Sequence, residues 1–296
     1  MEGASPPPVK HATAWGVVCG AGAALCWALG FVAARQGVTS GLSPLVIGLH
    51  RFVWPGLVLL PVVAANEFQS LRIVGWRRAI ALALSGGLPL ALFSYFGYVL
   101  VPLGHGAIIQ PSCAALGGLL LARLLLKEPL PPRRIAGAAG IFVGLAVIGA
   151  EALRTMGASG VLGDLLFVAA GACFAVFGVL LRLWLVPPLR AAAVTSVLSL
   201  AGLPMLFFCF GNMVDAGFYE NLMQAAVQGA LAGAGAIYLF TRAVVLLGAS
   251  RAVLFPSLVP PFTLLIGYLA LGEAPSASQL AGLMIVVVGF RLTQQN

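Results

Sequence analysis

The chain has 296 residues, of which 61% are hydrophobic and only 8% are charged, and its mean hydropathy is +1.06. Soluble domains are about one quarter charged, so this composition excludes a water-soluble globule. Sixteen Lys and Arg residues against eight Asp and Glu residues give a net charge of +8. In a membrane chain that excess reflects the orientation of the spans. We therefore expect a lipid bilayer around the protein and no nucleic-acid partner.

Charge-poor segments of spanning length follow one another with short gaps. A helix crosses a bilayer with about 20 apolar residues, and the first such stretch, residues 12–34, carries no charge. It is longer than the apolar region of a signal peptide, so a retained first span after a cytoplasmic tail (1–12) is predicted. The segments lack the alternation of β-barrel strands. The ten predicted spans are 13–35, 44–65, 79–101, 105–126, 133–150, 161–182, 190–211, 220–244, 251–271 and 275–292.

The basic residues favour one side of the membrane. With a cytoplasmic N-terminus, thirteen of the sixteen Lys and Arg residues fall inside, and only Arg35, Arg51 and Arg154 fall outside. Loops rich in Lys and Arg stay in the cytoplasm. Because ten spans is an even number, both termini are predicted to be cytoplasmic.

The two halves of the chain resemble each other in sequence. The offset between matching residues is 147 in the early part of each half and 145 in the later part. Five spans per half is an odd number, so the second half must cross the membrane in the opposite sense. The predicted fold is an all-α integral membrane protein of two inverted five-helix repeats, 13–150 and 151–296. The matched pairs include Arg35 with Arg182, Gly86 with Gly233, Pro111 with Pro256, Ser112 with Ser257, and Glu128 with Glu273.

Several local patterns resemble the drug/metabolite transporter superfamily, in its ten-span EamA-like branch. The motifs are Lys127-Glu128-Pro129 with Arg133-Arg134 and Gly137/Gly144, the echo Gly272-Glu273-Ala274-Pro275 with Gly282/Gly289, and Ser43-Pro44 with Arg51. Within that branch the chain looks most like the bacterial aromatic amino-acid exporters of the YddG type. The resemblance implies a bacterial-type inner-membrane protein that moves amino acids out of the cytoplasm.

Polar and aromatic side chains inside the spans are the candidates for a transport site, because an isolated polar group is costly in hydrocarbon. Aromatic rings suit an amino-acid substrate through stacking and through cation–π contact with its ammonium group. The predicted substrate-binding residues are Trp27, Phe31, His50, Tyr95, Tyr98, Gln110, Ser112, Phe174, Phe177, Tyr238 and Ser257. Glycine and proline within spans favour bends that let helices rock. The predicted hinge residues are Gly86, Gly87, Pro111, Gly233 and Pro256.

Some of these residues have two interpretations. Tyr95 and Tyr98 suit either a cavity or an interfacial aromatic belt. Arg51 either extends to the outer interface or neutralises a substrate carboxylate. His50 either binds a proton that is coupled to transport or packs as a neutral ring. His105, in the predicted turn between spans three and four, is expected to be solvated.

Other residue types have structural interpretations. Glu128 and Glu273 stand at span ends beside prolines, so each is expected to cap the helix that follows it. The five cysteines lie in apolar runs without a C-x-x-C pattern, and packing is expected of them rather than metal binding.

Together these observations favour a monomeric secondary exporter of small amphipathic metabolites, foremost aromatic and other neutral amino acids, that uses alternating access without a cofactor or metal. The chain has no G-x-x-x-x-G-K-[ST] loop, so a gradient must drive it. A nucleotide-sugar or sugar-phosphate carrier would need several basic groups in its cavity, and a cationic-drug exporter would need a membrane-embedded acid. An enzyme is not expected, because no nucleophile–base pair stands at span depth. A channel or a helical subunit of a larger complex remains an alternative.

Overall fold

The computed structural model describes residues 9–65, 69–202, 204–252 and 255–294. Nearly all of these residues are helical, and no strand occurs among them, which confirms the predicted all-α class. Within the described ranges, six helices are long and apolar enough to cross a membrane, and three shorter apolar helices accompany them. Ten spans are compatible with this arrangement, although the count itself stays a prediction.

The first half begins with two long helices and continues through a broken third span. A proline stands at the first position of α2, where its missing N–H costs nothing. These helices are α1 (Val9–Thr39), α2 (Pro44–Ala65), α3 (Gln69–Val74), α4 (Trp76–Gly86), α5 (Leu88–Leu100) and α6 (Leu103–Leu125).

A single helical element, α7 (Pro132–Leu183), joins the two halves. Its 52 residues would extend for about 78 Å at 1.5 Å per residue, far more than the roughly 30 Å of bilayer hydrocarbon. Gly157 interrupts it with φ 64° and ψ −144°, a conformation that glycine adopts without steric cost. The kink therefore separates two segments that fit the predicted spans 133–150 and 161–182.

The second half contains more interrupted helices than the first. Its last helix begins with a capping box. The Ser276 side chain accepts a hydrogen bond from the backbone N–H of Gln279, and the Gln279 side chain accepts one from the backbone N–H of Ser276. The elements are α8 (Pro188–Ser199), a 3₁₀ turn (Leu200–Gly202), α9 (Met205–Ala216), α10 (Phe218–Gln224), a π-helical segment (Ala225–Gly235), α11 (Ala236–Leu247), α12 (Ala249–Ala252), a second 3₁₀ turn (Phe255–Leu258), α13 (Val259–Leu271) and α14 (Ala277–Thr293).

The five predicted hinge residues occupy different kinds of backbone. Gly86 ends α4, and Gly87 has non-helical angles (φ −106°, ψ −143°) between α4 and α5. Gly233 lies in the π-helical segment, and Pro256 lies in the second 3₁₀ turn. Pro111 instead lies within the continuous helix α6. Whether these positions bend during transport stays a prediction.

Glycines bring the last helix against the first part of α7. A side-chain carbon on Gly144 would lie 2.7 Å from the carbonyl oxygen of Gly282, and one on Gly137 would lie 2.6 Å from that of Gly289. Small residues at such positions let helix backbones approach closely in a membrane. Large apolar side chains such as Phe142 are exposed on the outer surface, as expected for a lipid-facing bundle.

Candidate functional site

A buried polar cluster lies where α1, α2 and α5 meet the π-helical segment. Nη1 of Arg51 in α2 donates to the main-chain carbonyl of Gln228, at 3.2 Å. Nε2 of Gln228 donates to the carbonyl of Gly30 in α1 at 2.7 Å, and the Tyr95 hydroxyl donates to its Oε1 at 3.2 Å. We call Gly30, Arg51, Tyr95 and Gln228 the inter-repeat cluster, since three members come from the first half and Gln228 from the second.

Local backbone explains why these groups meet. A side-chain carbon on Gly30 would lie 2.7 Å from Cβ of Ala232, so only glycine lets α1 approach the π-helical segment this closely. A π-helix shifts the register of its carbonyl groups and is often found at functional sites. Here it presents the Gln228 carbonyl to the guanidinium of Arg51.

The hydrogen-bond partner of the Arg51 guanidinium among the described residues is neutral, the main-chain carbonyl of Gln228. Ion pairs among the described residues include Arg35 with Glu273, Arg182 with Glu128, and His105 with Asp164, and none involves Arg51. No described carboxylate therefore lies within ion-pair distance of Arg51. A cation inside a membrane protein is costly without a counter-charge. The structure thus turns Arg51 toward the interior, and an anionic ligand group would complete its pairing.

His50 neighbours the cluster and uses both ring nitrogens. Its Nδ1 accepts from Nε1 of Trp54 at 2.9 Å, so its Nε2 carries the proton and donates to Oδ1 of Asn221 at 3.1 Å. The amide of Asn221 in turn donates to the carbonyls of Met213 and Gly217. This arrangement fits the packed, neutral interpretation of His50.

Two predicted polar residues of α6 are buried near α5. Oε1 of Gln110 accepts from the Ser94 hydroxyl at 2.8 Å. The Ser112 side chain is fully buried, and its hydroxyl has no hydrogen-bond partner in the described part of the chain. Ser257, its counterpart in the repeat, is part-buried in the second 3₁₀ turn.

The predicted aromatic residues separate into interior and exposed groups. Tyr95 and Tyr98 are buried, so the interfacial-belt interpretation is wrong for both. The ring centroids of Tyr98 and Phe31 are 6.4 Å apart, and those of Trp27 and Phe240 are 5.5 Å apart.

The remaining aromatic candidates lie elsewhere on the bundle. Phe174 and Tyr238 are exposed, while Phe177 is part-buried with its ring centroid 6.1 Å from that of Phe174. The structure therefore does not bring these three residues to the inter-repeat cluster. Their part in substrate binding stays a prediction.

Two expectations for polar residues near span ends are wrong. His105 is fully buried against Asp164 rather than solvated. Glu273 does not cap α14, because Ser276 does so, and it instead accepts from the backbone N–H of Leu103, the first residue of α6. Glu128 likewise turns to a distant helix, where it pairs with Arg182.

Comparison with known proteins agrees with this architecture. A model of the EamA-like transporter family matches the chain twice, over residues 14–150 and 161–294. The chain belongs to the EamA-like transporter family. A solved crystal structure superposes with a TM-score of 0.58 at 21% sequence identity, covering 96% of this chain and 97% of that one. This likeness shows the fold alone. Comparison with curated proteins finds no match.

Membership of the EamA-like family makes the protein a multi-pass membrane transporter of two repeats. The inter-repeat cluster of this EamA-like transporter was only partly predicted, since Gly30 and Gln228 were missed. A signal for Gln228 was nevertheless present, because Asn221, Gln224 and Gln228 recur every three or four residues in a span of mostly apolar residues. That spacing places three amides on one helix face.

Proposed function

We propose that this EamA-like protein is a secondary transporter that exports small amphipathic amino acids, foremost aromatic and other neutral ones, from the cytoplasm. The observation that carries the proposal is Arg51, a guanidinium at the meeting of the two halves without a carboxylate partner among the described residues. A guanidinium binds a carboxylate through two parallel hydrogen bonds. An amino acid supplies that carboxylate.

Neighbouring groups suit the remainder of such a substrate. The Tyr95 hydroxyl is hydrogen-bonded to the amide oxygen of Gln228, the residue whose main-chain carbonyl binds Arg51, and both oxygens would accept hydrogen bonds from an ammonium group. On α1, Phe31 follows Gly30 directly and Trp27 precedes it by three residues, so both rings are close enough to the cluster to contact an apolar substrate side chain. A phosphate-bearing substrate would require several cations, and the cluster contains one.

We further propose that two ion pairs act alternately as closures of the two membrane faces. Arg35 of the first half pairs with Glu273 of the second, and Arg182 of the second half pairs with Glu128 of the first. The two arginines match each other in the repeat, as do the two glutamates. In the predicted orientation the first pair is external and the second is cytoplasmic, so opening either face breaks the pair on that side.

The two pairs differ in burial in a way that fits a closed outer side. The side chains of Arg35 and Glu273 are 17% and 24% exposed, whereas those of Arg182 and Glu128 are 54% and 32% exposed. The proposal also includes two repeats, 13–150 and 151–296. It places the protein in a bacterial inner membrane with both termini in the cytoplasm, and it has the protein work as a monomer. Within it, the two repeats rock about the inter-repeat cluster.

Uptake into liposomes that contain the purified protein tests the proposal. Labelled phenylalanine, threonine and a nucleotide sugar are offered separately, with protein-free liposomes as the control. The proposal predicts saturable uptake of the two amino acids and none of the nucleotide sugar. Nucleotide-sugar uptake alone would overturn the substrate class, and uptake of none of the three would favour a subunit of a larger complex.

A further inference from the structure

A histidine and an aspartate form a buried pair outside the inter-repeat cluster. Nδ1 of His105, near the start of α6, lies 2.8 Å from Oδ1 of Asp164 in the second part of α7. The His105 side chain is 0% exposed and that of Asp164 is 11% exposed. An ionised carboxylate only accepts hydrogen bonds, so Nδ1 of neutral His105 carries the ring proton and donates a hydrogen bond to Oδ1 of Asp164.

Both residues retain an unused polar atom. Nε2 of His105 and Oδ2 of Asp164 are buried and have no hydrogen-bond partner within the described ranges. Leaving buried polar atoms unpaired is costly, and burying a carboxylate is more costly still. The residues that match His105 and Asp164 in the other half are Ser250 and Val17, which cannot form such a pair. The repeated fold therefore does not itself require an ionisable pair at these positions. A buried ionisable pair near the outer ends of two spans is therefore best explained by function.

Few charges face this pair. Arg35 and Glu273 neutralise each other, and Arg154 is exposed. Apart from His105, no cation of the described residues lies within ion-pair distance of Asp164. Near the pair, the charged and titratable groups on the surrounding elements are Arg35 on α1, Tyr95 and Tyr98 on α5, Glu151 and Arg154 on the first part of α7, and Glu273 after α13. Cys19 and Cys26 on α1, Cys113 on α6 and Cys173 on α7 lie further along their helices. The far ends of the helices carry Arg77 and Arg78 on α4, Arg123 on α6, Arg133, Arg134 and Arg182 on α7, and Arg291 on α14.

We propose that His105 and Asp164 form a proton-binding site that couples transport to a proton gradient, an inference that rests on the proposed transport function. With neutral His105 the pair carries a charge of −1. A proton from the outer side forms an N–H bond at Nε2 of His105 or an O–H bond at Oδ2 of Asp164, and either event brings the charge to zero. Release toward the cytoplasm breaks the same bond and restores the charge.

The helices that hold the pair also contact the substrate side. His105 and Gln110 lie on α6, five residues apart, and Asp164 and Gly171 lie two turns apart on α7. A side-chain carbon on Gly171 would lie 2.6 Å from the carbonyl oxygen of Gln110, so the two helices touch there as well. A hydrogen bond to an ionised group is roughly twice as strong as one between neutral groups. Protonation therefore changes how firmly α6 and α7 hold together beside Gln110.

Gradient-driven accumulation in liposomes tests the site. The full-length protein is reconstituted with the membrane potential clamped by valinomycin and potassium, and labelled phenylalanine is added outside liposomes with an acidic interior. A gradient of one pH unit drives at most about tenfold accumulation for one exchanged proton. Wild type is expected to approach tenfold accumulation, and Asp164→Asn is expected to show no accumulation above equilibrium. At equal pH, the counterflow rate of Asp164→Asn should stay within about twofold of the wild-type rate. Asp215→Asn, which changes an exposed acid of α9, is the matched control and keeps the accumulation.

The outcomes separate this inference from the transport proposal. Equal accumulation by Asp164→Asn and wild type would overturn the proton site. Counterflow by wild type without any response to the pH gradient would also overturn it and leave the transport proposal intact. If wild type shows no counterflow, infrared titration of the solubilised protein decides, because the carboxyl band that Asp164→Asn removes should shift its midpoint in His105→Gln. An unchanged midpoint would exclude the coupled pair.

Discussion

Nε of Arg35 lies 2.6 Å from Oε1 of Glu273, although 238 residues separate them in the chain. The other carboxylate oxygen accepts from the backbone N–H of Leu103 at 2.8 Å, and Nη1 of Arg35 donates to the carbonyl of Tyr98 at 2.5 Å. This junction therefore ties together α1, the last turn of α5, the start of α6 and the connection after α13. It is a polar junction between the two halves on the predicted outer face.

Replacing Glu273 by Gln is expected to loosen that face. The variant loses a charge-assisted hydrogen bond, worth about 1.5–3 kcal/mol, and the outer side opens more often. The measurement is labelling of a cysteine placed at the buried position Ala107, in a background without the native cysteines, by a membrane-impermeant maleimide from outside. Labelling should accelerate at least tenfold. Glu128→Gln, on the opposite face, is the control and should leave the outer labelling rate unchanged or reduce it.

Replacing Arg51 by Gln is expected to weaken binding of substrates that carry a carboxylate. Loss of a charge-assisted contact of about 1.5–3 kcal/mol raises the apparent KM roughly 10- to 100-fold. Competition of labelled phenylalanine uptake by unlabelled analogues measures the effect. Phenethylamine, which lacks the carboxylate, should compete equally well in wild type and variant. If phenethylamine also competes more weakly in the variant than in wild type, by a similar factor, Arg51 has only a structural role.

Replacing His50 by Gln is expected to leave the shape of the pH profile of transport unchanged. Both ring nitrogens of His50 are already engaged, by Trp54 and by Asn221, so a further proton would have to break the bond from Trp54. The rate of phenylalanine uptake between acidic and alkaline pH gives the profile. A flattened profile in His50→Gln, with a normal profile in Asp164→Asn, would transfer the proton role from His105 and Asp164 to His50.

Adding one methyl group at Gly144 is expected to destabilise the contact between α7 and α14. The new carbon would lie 2.7 Å from the carbonyl oxygen of Gly282 and 2.7 Å from Cγ2 of Val286, so the backbones must separate. Overpacking of this kind costs about 1–3 kcal/mol. Thermal unfolding in detergent should show a lower midpoint for Gly144→Ala. Gly149→Ala, where nothing lies within 4 Å, should unfold at or above the wild-type midpoint.

The sequence predicted the all-α class and the two-repeat family because both depend on patterns that recur along the chain. Apolar runs of spanning length are visible directly in the sequence. Matches such as Glu128 with Glu273 occur at a constant spacing within each part of the repeat. The swapped pairing of these glutamates with Arg182 and Arg35 was not predicted. Pairing depends on how the two halves dock, and a fixed offset carries no information about that contact.

The candidate site was harder to predict for the same reason. Arg51 donates to a main-chain carbonyl of the π-helical segment, and the close packing of that segment against Gly30 lies far away in the chain from Arg51's own neighbours. The burial of His105 was missed because the residues around it in the sequence are typical of a turn. Its hydrogen-bond partner Asp164 is 59 residues away in the chain. The prediction that Glu273 caps α14 was wrong because Ser276, a preferred N-cap residue, occupies the N-cap position.

Counterflow is the measurement that tests the central claim most directly. Liposomes containing the protein are loaded with unlabelled phenylalanine, diluted into labelled phenylalanine at equal pH, and sampled over time. A carrier with alternating access and an amino-acid site is expected to give transient accumulation of label above equilibrium, abolished by Arg51→Gln at the same substrate concentration. Uptake that rises only to equilibrium, without an overshoot and without saturation, would indicate a pore and contradict the account.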